Sequence, residues 1–264
     1  KDVKVCLSGE GADEVFGGYN VYSETIRSAK YCRIPKPVRG VIGKIVDHCP
    51  NFKAKNFLYR HRGDLEDWFN GNPNAGFSER ERKELLKVTT NAPSPKAMIA
   101  PYYDKVKGKD DVTRMQYIDM HLWLCGDILL KGDKMSMANS LELRVPFLDI
   151  EVMKLAQKIP YQCRINESNT KLALRKASAS KLPSVTAEKK KLGFPVPVRR
   201  WLKEEKYYTM LKDAFHTPIA KELFHTEKLM QLLDDYRAGK SNNYLRIWSV
   251  FTFILWYQEF FVKR

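Results

Sequence analysis

The chain has 264 residues, 44% of them hydrophobic, which is enough to bury a folded core and excludes a disordered polymer. Its 46 Lys and Arg outweigh 31 Asp and Glu to give a net charge of +15. The excess is spread along the chain, densest at Lys189, Lys190 and Lys191 with Arg199 and Arg200 nearby, and no zinc-finger, RNP or helix-turn-helix pattern accompanies it. A polyphosphate substrate on a basic surface is therefore expected rather than nucleic acid. Five cysteines, at 6, 32, 49, 125 and 163, form no C-x-x-C pair and suit reduced thiols in the cytoplasm. His121 and Cys125 are spaced to share a helix face, but no second pair completes a metal site.

In chain order, Val3 to Leu7 is short, apolar and β-branched, and reads as a strand buried on both faces in a parallel sheet. Ser8-Gly9-Glu10-Gly11-Ala12-Asp13-Glu14 follows at the carboxyl end of that strand, the edge where open α/β sheets bind ligands. Its glycines allow close backbone approach to an anion. Its three carboxylates would repel phosphate unless a divalent cation lay between, so the loop suggests a magnesium-bridged nucleotide. The plainer reading is a turn into a helix near Ala12, with Asp13 and Glu14 complementing the helix dipole.

The next pattern suits a helix from Asp13 to about Ala29, interrupted at Gly17-Gly18 and stopped by Ile34-Pro35-Lys36-Pro37. Positions 37–68 look helical in pieces, and 70–76 is a loop. Ser78 with Glu81 forms a capping box for a helix through Leu86, and Asn91 to Pro95 is a connector. From Val112 to Leu130, Met115, Ile118, Leu122, Cys125 and Leu129 recur at helical spacing and predict one buried face. Met135 and Met137 are expected in the core. Short helices follow at 151–158 and 170–181. Thr226 is expected to cap a helix closing near Gly239, and Ser241 opens a last apolar helix ending around Phe261. That apolar stretch is too short to span a membrane and is expected in a core. The chain reads as mostly α with a single residual parallel strand.

The first loop, the block Lys131 to Met137 running into Ser140-Leu141-Glu142-Leu143-Arg144-Val145-Pro146-Phe147-Leu148-Asp149, and Lys191-Leu192-Gly193-Phe194 occur in this order. Together they resemble the synthetase domain of glutamine-dependent asparagine synthetase. The resemblance runs from about Lys4 to the C-terminus and is thin between Tyr22 and Val112. It implies the C-terminal portion of an α/β adenine-nucleotide-α-hydrolase-like (ATP pyrophosphatase) fold, one asparagine synthase domain over 1–264 with no separate second domain. It also implies ATP and Mg2+, with aspartate and glutamine-derived ammonia as the other reactants. That family carries an S-G-G-x-D-S pyrophosphate loop and an amidotransferase domain upstream. The sequence opens at Lys1, without methionine, almost directly into a strand, so a C-terminal fragment or one piece of a split polypeptide is expected, inactive alone. The missing segments are then its partners, with a homodimer left open.

By position in the resemblance, Glu10 is the base that accepts a proton from ammonia, and Asp13 holds magnesium. Ser8 and Gly9 contact the AMP portion. Glu14 belongs with them in nucleotide or substrate binding, or caps the helix. Lys191 stabilises pyrophosphate, and Asp133 lies near substrate or in a network that orients Lys191. Glu142 and Arg144 are expected to form a buried ion pair that fixes the following turn, with a site role for Glu142 equally open. Lys134 stands where the family has arginine, which keeps the charge but loses the bidentate fork. Two other readings, another enzyme branch and a binding module, fit these residues less well. β-Lactam synthetases place a tyrosine in the base role, so Glu10 favours the asparagine branch. A non-catalytic binding module has little reason to keep clustered acids and Lys191.

Overall fold

A computed structural model describes residues 3–49, 52–71, 76–77, 79–187, 189, 193 and 196–262. The elements run β1 (Val5–Leu7), α1 (Ala12–Phe16), α2 (Tyr22–Ser28), α3 (Lys36–His48), α4 (Lys55–Arg60), α5 (Glu79–Leu85), α6 (Pro95–Lys105), α7 (Asp111–Ile118) and α8 (Leu130–Met137). They continue with β2 (Glu142–Arg144), α9 (Ile150–Ala156), α10 (Tyr161–Arg164), α11 (Leu172–Ser178), α12 (Ser184–Ala187), α13 (Val198–Trp201), α14 (Glu205–Phe215), α15 (Pro218–Leu223), α16 (Thr226–Arg237) and α17 (Tyr244–Tyr257). The fold is mostly helical with a small parallel sheet. Contacts cluster in two units, one of Lys1–Asn74 with Pro93–Lys191 and one of Ala75–Ala92 with Leu192–Arg264.

In the first unit β1 pairs in parallel with β2, Val5 opposite Glu142 and Leu7 opposite Arg144. The parallel orientation was expected, but a second strand was not: the expected turn begins only after β2, at Val145, and β1 reads as the single strand. The expected burial of β1 on both faces fails, because Leu7 is 72% and Val5 39% exposed. A two-stranded ribbon has one neighbour at one edge, and no further described strand continues the sheet.

α7 and α8 are joined by a π-helical stretch over Asp119–Leu129, so that one continuous helix runs from Asp111 to Met137. The expected face holds through Met115 and Ile118, both fully buried. Past Ile118 the wider turns shift the phase. Asp119 and Leu124 become the buried positions, while Cys125 is exposed and Leu122 and Leu129 are only partly covered. Met135 and Met137, expected in the core, are 61% and 54% exposed, because α8 meets β2 through Gly132 against Leu143 and leaves these two side chains outside.

The connector at Asn91 to Pro95 hides the start of α6, where Ser94 Oγ accepts the Ala97 amide at 3.2 Å and Pro95 takes the first helical position. The core of this unit gathers Tyr22, Phe69, Met115, Ile118 and Ile165, with a second cluster of Val15, Phe16 and Ala156. Tyr22 donates its hydroxyl to Asp119 Oδ2 at 2.6 Å, tying α2 to the π-helical stretch with both residues fully buried. Burial and the Asp119 charge both raise the Tyr22 phenol above its ordinary value, so it remains a donor.

The second unit is an apolar helical core built on Leu211, Phe215, Leu229, Leu233, Ile247 and Ile254. α16 begins at Thr226 with His225, not Thr226, in the cap position; Gly239 beyond its end takes φ +76°, as expected of a left-handed closing residue. Ser78, the expected cap of α5, lies outside the described residues. No helix among the described residues is long and apolar enough to cross a membrane.

Glu24 on α2 meets Arg60 Nη1 at 2.8 Å and His61 Nε2 at 3.3 Å. Burial raises its carboxyl, but the His61 and Arg60 interactions outweigh this and hold it below the ordinary 4.5. A lowered folded-state value contributes stability above the unfolded value and loses it as pH falls through the folded one. Urea denaturation between about pH 3 and 7 should therefore show stability declining below 4.5, with the decline reduced in Glu24→Gln. An identical acid limb in the variant would remove Glu24 as a contributor.

Candidate functional site

The loop after β1 is held at both ends. The Ser8 amide extends the ladder to Arg144 O at 2.8 Å, and the Glu10 amide turns back to Ser8 Oγ at 3.4 Å. Gly11 takes φ +84°, and a Cβ there would lie 2.3 Å from Leu148 Cδ2. Only glycine combines that backbone with that contact. The structure thus brings Ser8 to Glu14 against the segment Val145–Leu148, two blocks far apart in sequence. Ser8 and Glu10 are partly covered and Gly9 is exposed. The Glu10 carboxylate has no hydrogen-bond or ion-pair partner among the described residues.

The other two acids point elsewhere. Asp13 Oδ1 lies 3.1 Å from Lys171 Nζ, and both side chains are about three-quarters buried. Lys171 has a left-handed backbone, φ +54°, fixed by its amide on Gly17 O at 3.2 Å. A Cβ on Gly18 would stand 1.8 Å from Asp13 Oδ1 and 2.4 Å from Lys171 Cε, so this glycine makes room for the pair. Glu14 is 1% exposed and accepts the Tyr19 hydroxyl at 2.6 Å, while Tyr19 Oη accepts from Trp123 Nε1 at 3.2 Å. Burial, then the Glu14 hydrogen bond and charge, raise the Tyr19 phenol and keep its proton in place. The backbone carbonyls of Glu14 and Val15 accept the side-chain amide of Gln116 at 2.6 and 3.2 Å.

Asp133 sits exposed on α8 with a carboxylate that has no partner among the described residues. Lys191 lies outside the described residues. Glu142 and Arg144 do pair, at 2.8 Å, but at 55% and 61% exposed the pair is not the buried one expected, because no described element covers that face of β2. Lys171, Gln116, Tyr19 and the Asp127–Lys131 pair at 3.3 Å were absent from the sequence reading. Among the described residues no group of three His, Cys, Asp or Glu could hold a metal ion. Asp13 offers a single carboxylate, which suits magnesium only together with phosphate oxygens and water.

The sequence profile of the asparagine synthase family matches residues 1–258. The chain is 40% identical to "Asparagine synthetase [glutamine-hydrolyzing] 1" of Bacillus subtilis (strain 168), over 100% of this chain and 42% of that protein. A Mycobacterium bovis protein provisionally named as a glutamine-hydrolysing asparagine synthetase is also 40% identical, over 98% of this chain and 40% of its own length. "Asparagine synthetase [glutamine-hydrolyzing] 3" of Bacillus subtilis is 29% identical over 89% of the chain. The chain spans about two fifths of the length of the first two relatives. No solved structure gives a significant match.

Gly18→Ala should evict the Asp13–Lys171 pair while leaving the fold, since both clashing atoms are ends of side chains. Lys171→Met should then cost about 1 kcal/mol in the native background and close to nothing beside Gly18→Ala, read by denaturant titration as a double-mutant cycle. Equal costs in both backgrounds would show that Gly18 does not serve the pair.

Proposed function

The chain belongs to the asparagine synthase family, and we propose on that footing that it forms the C-terminal portion of the synthetase site of an ATP-dependent, AMP-forming amide synthetase. The fold would be the matching part of an ATP pyrophosphatase-type α/β domain. The side-chain carboxylate of aspartate attacks the α-phosphate of ATP, forming a β-aspartyl adenylate and releasing pyrophosphate. Ammonia derived from glutamine in an amidotransferase partner attacks the acyl carbon, AMP leaves, and asparagine is formed.

The observation that carries this reading is the Glu10 carboxylate, without a partner among the described residues, on a loop that opens at a strand's carboxyl end. As the nitrogen attacks, it becomes more acidic, and a nearby carboxylate can accept the proton. Ser8 and Gly9 would receive the AMP portion, with open space around the exposed Gly9, where an added Cβ would meet nothing within 4 Å. Glu14 serves the nucleotide loop from beneath, through Tyr19. Asp13 would exchange Lys171 for a magnesium ion, which would supply charge neutralisation to the leaving pyrophosphate. Lys191 would stabilise pyrophosphate as a point charge, with Asp133 near substrate or in a network that orients Lys191. The exposed and half-buried free cysteines fit a reducing cytoplasmic setting.

In the complete polypeptide, Glu10→Gln should preserve aspartate-dependent exchange between ATP and pyrophosphate while lowering asparagine formation by about 100-fold or more. Exchange that falls as far as amide synthesis would make Glu10 a binding residue. Lys191→Ala should damage the exchange itself, and an unchanged exchange rate would remove Lys191 from the site. The chain of 264 residues alone should form no AMP from ATP and aspartate; AMP release would show that the upstream loop is dispensable.

A further inference from the structure

A cavity of about 910 Å3 opens beside α1 and is lined by Glu14 and Val15, not by Ser8, Gly9, Glu10 or Asp13. Its remaining walls come from α7 and the first turn of the π-helical stretch, from the end of α9 and from α10. Val15, Met120, Met153, Ala156, Ile159 and Pro160 make most of the surface apolar. The volume falls in the range of roughly 300–1,000 Å3 that small-molecule sites occupy.

One group does not suit an empty apolar cavity. Arg164 is half-buried in its wall, and its two terminal nitrogens donate to neutral acceptors, Nη1 to Gln116 Oε1 at 2.6 Å and Nη2 to Thr113 Oγ1 at 2.8 Å. Its Nε is buried without a hydrogen-bond partner. No carboxylate of the described residues lies within ion-pair distance. Asp110, the acid whose charge acts on it, is engaged by the Thr113 amide at 2.9 Å and the Thr113 hydroxyl at 2.7 Å. The other carboxylate of the wall, Glu14, accepts from Tyr19. Lys109 and Lys158 add positive charge to the lining. The bonds to Gln116 and Thr113 use two of the five guanidinium N–H groups; each terminal nitrogen keeps a second N–H, and a carboxylate is the acceptor whose fork geometry fits that pair.

We propose that this cavity binds a small amphipathic carboxylate, its anionic head on Arg164 and an aromatic or branched aliphatic body against Met120, Met153 and Ile159. Aspartate does not fit the description, since it has no apolar body to offer the walls. The site is therefore additional to the one assigned above, and Gln116 links the two: its carbonyl holds Arg164 and its amide holds the carbonyls of α1.

The test is a titration of the complete polypeptide, labelled at the methionine methyls, with 3-phenylpropionate as probe. Met120 and Met153 report from the cavity wall, while Met98 and Met210, both exposed elsewhere, report non-specific contact. Saturable shifts are expected at Met120 and Met153 only. The neutral 3-phenylpropionamide and acetate should each bind at least about tenfold more weakly, one lacking the charge and the other the body. Arg164→Gln should weaken the acid by a similar factor and leave the amide unchanged. The comparison of acid and amide needs no variant, so the outcome does not depend on how Arg164→Gln folds. Absence of saturable shifts at Met120 and Met153, or equal binding of acid and amide, or of 3-phenylpropionate and acetate, would overturn the proposal.

Discussion

Gln116, 1% exposed, spends both ends of its side chain on holding other elements in place. α1 has five residues, too few to be stable as a helix by itself. Glycines close it at both ends, Gly11 at φ +84° and Gly17 at φ +71°, so its backbone is shaped but not anchored by its own sequence. The anchor is the amide of Gln116 on the carbonyls of Glu14 and Val15, backed by Phe16 edge-on to Phe147 at 6.1 Å. The position of the acidic loop therefore depends on a residue more than a hundred positions away.

The first unit surrounds that anchor with buried polar groups. Glu14 with Tyr19 and Trp123, Asp119 with Tyr22, and Gln116 with Arg164 are each hydrogen-bonded within the unit, and each set joins elements remote in sequence. Such networks add little net stability but leave few alternative packings, because any slip strands a buried charge or donor. The second unit has a different character. Its core is a contiguous set of Leu, Ile and Phe side chains, where shape and volume do the specifying. The chemistry-bearing loop is thus carried by the unit with the greater demand on geometry.

The contrast explains what could be read from the sequence. The strand, the tight loop and the start of a helix were legible because a short apolar run and two glycines are local signals. The partnership of that loop with the Ser140–Asp149 block was legible only through the family resemblance. Met115 and Ile118 followed from a 3.6-residue period; Asp119 and Leu124 did not, since nothing in the residues announces a π-helical turn. Gln116, Tyr19 and Lys171 carry no motif, and they matter through distant partners. Met135 and Met137 show the opposite error, in which apolar chemistry suggested burial that the packing of α8 does not provide. Lys191 falls outside the described residues, so its role still rests on the resemblance.

The π-helical stretch has a consequence for how the chain can change. Along an ordinary helix each residue advances the face by about 100°, so the side chains before and after a segment stay in fixed angular relation. Asp119–Leu129 interposes a phase offset between Met115 and Ile118, which are locked in the core, and Lys131 and Asp133, which α8 carries toward β2. The wider turns of this stretch advance each residue by less than that angle, so its length and winding together fix how the downstream group is turned relative to its own foundation. Substitution within this stretch is a local event. A change in its length is a rotation of everything downstream, and the segment sets an angle as much as it spans a distance.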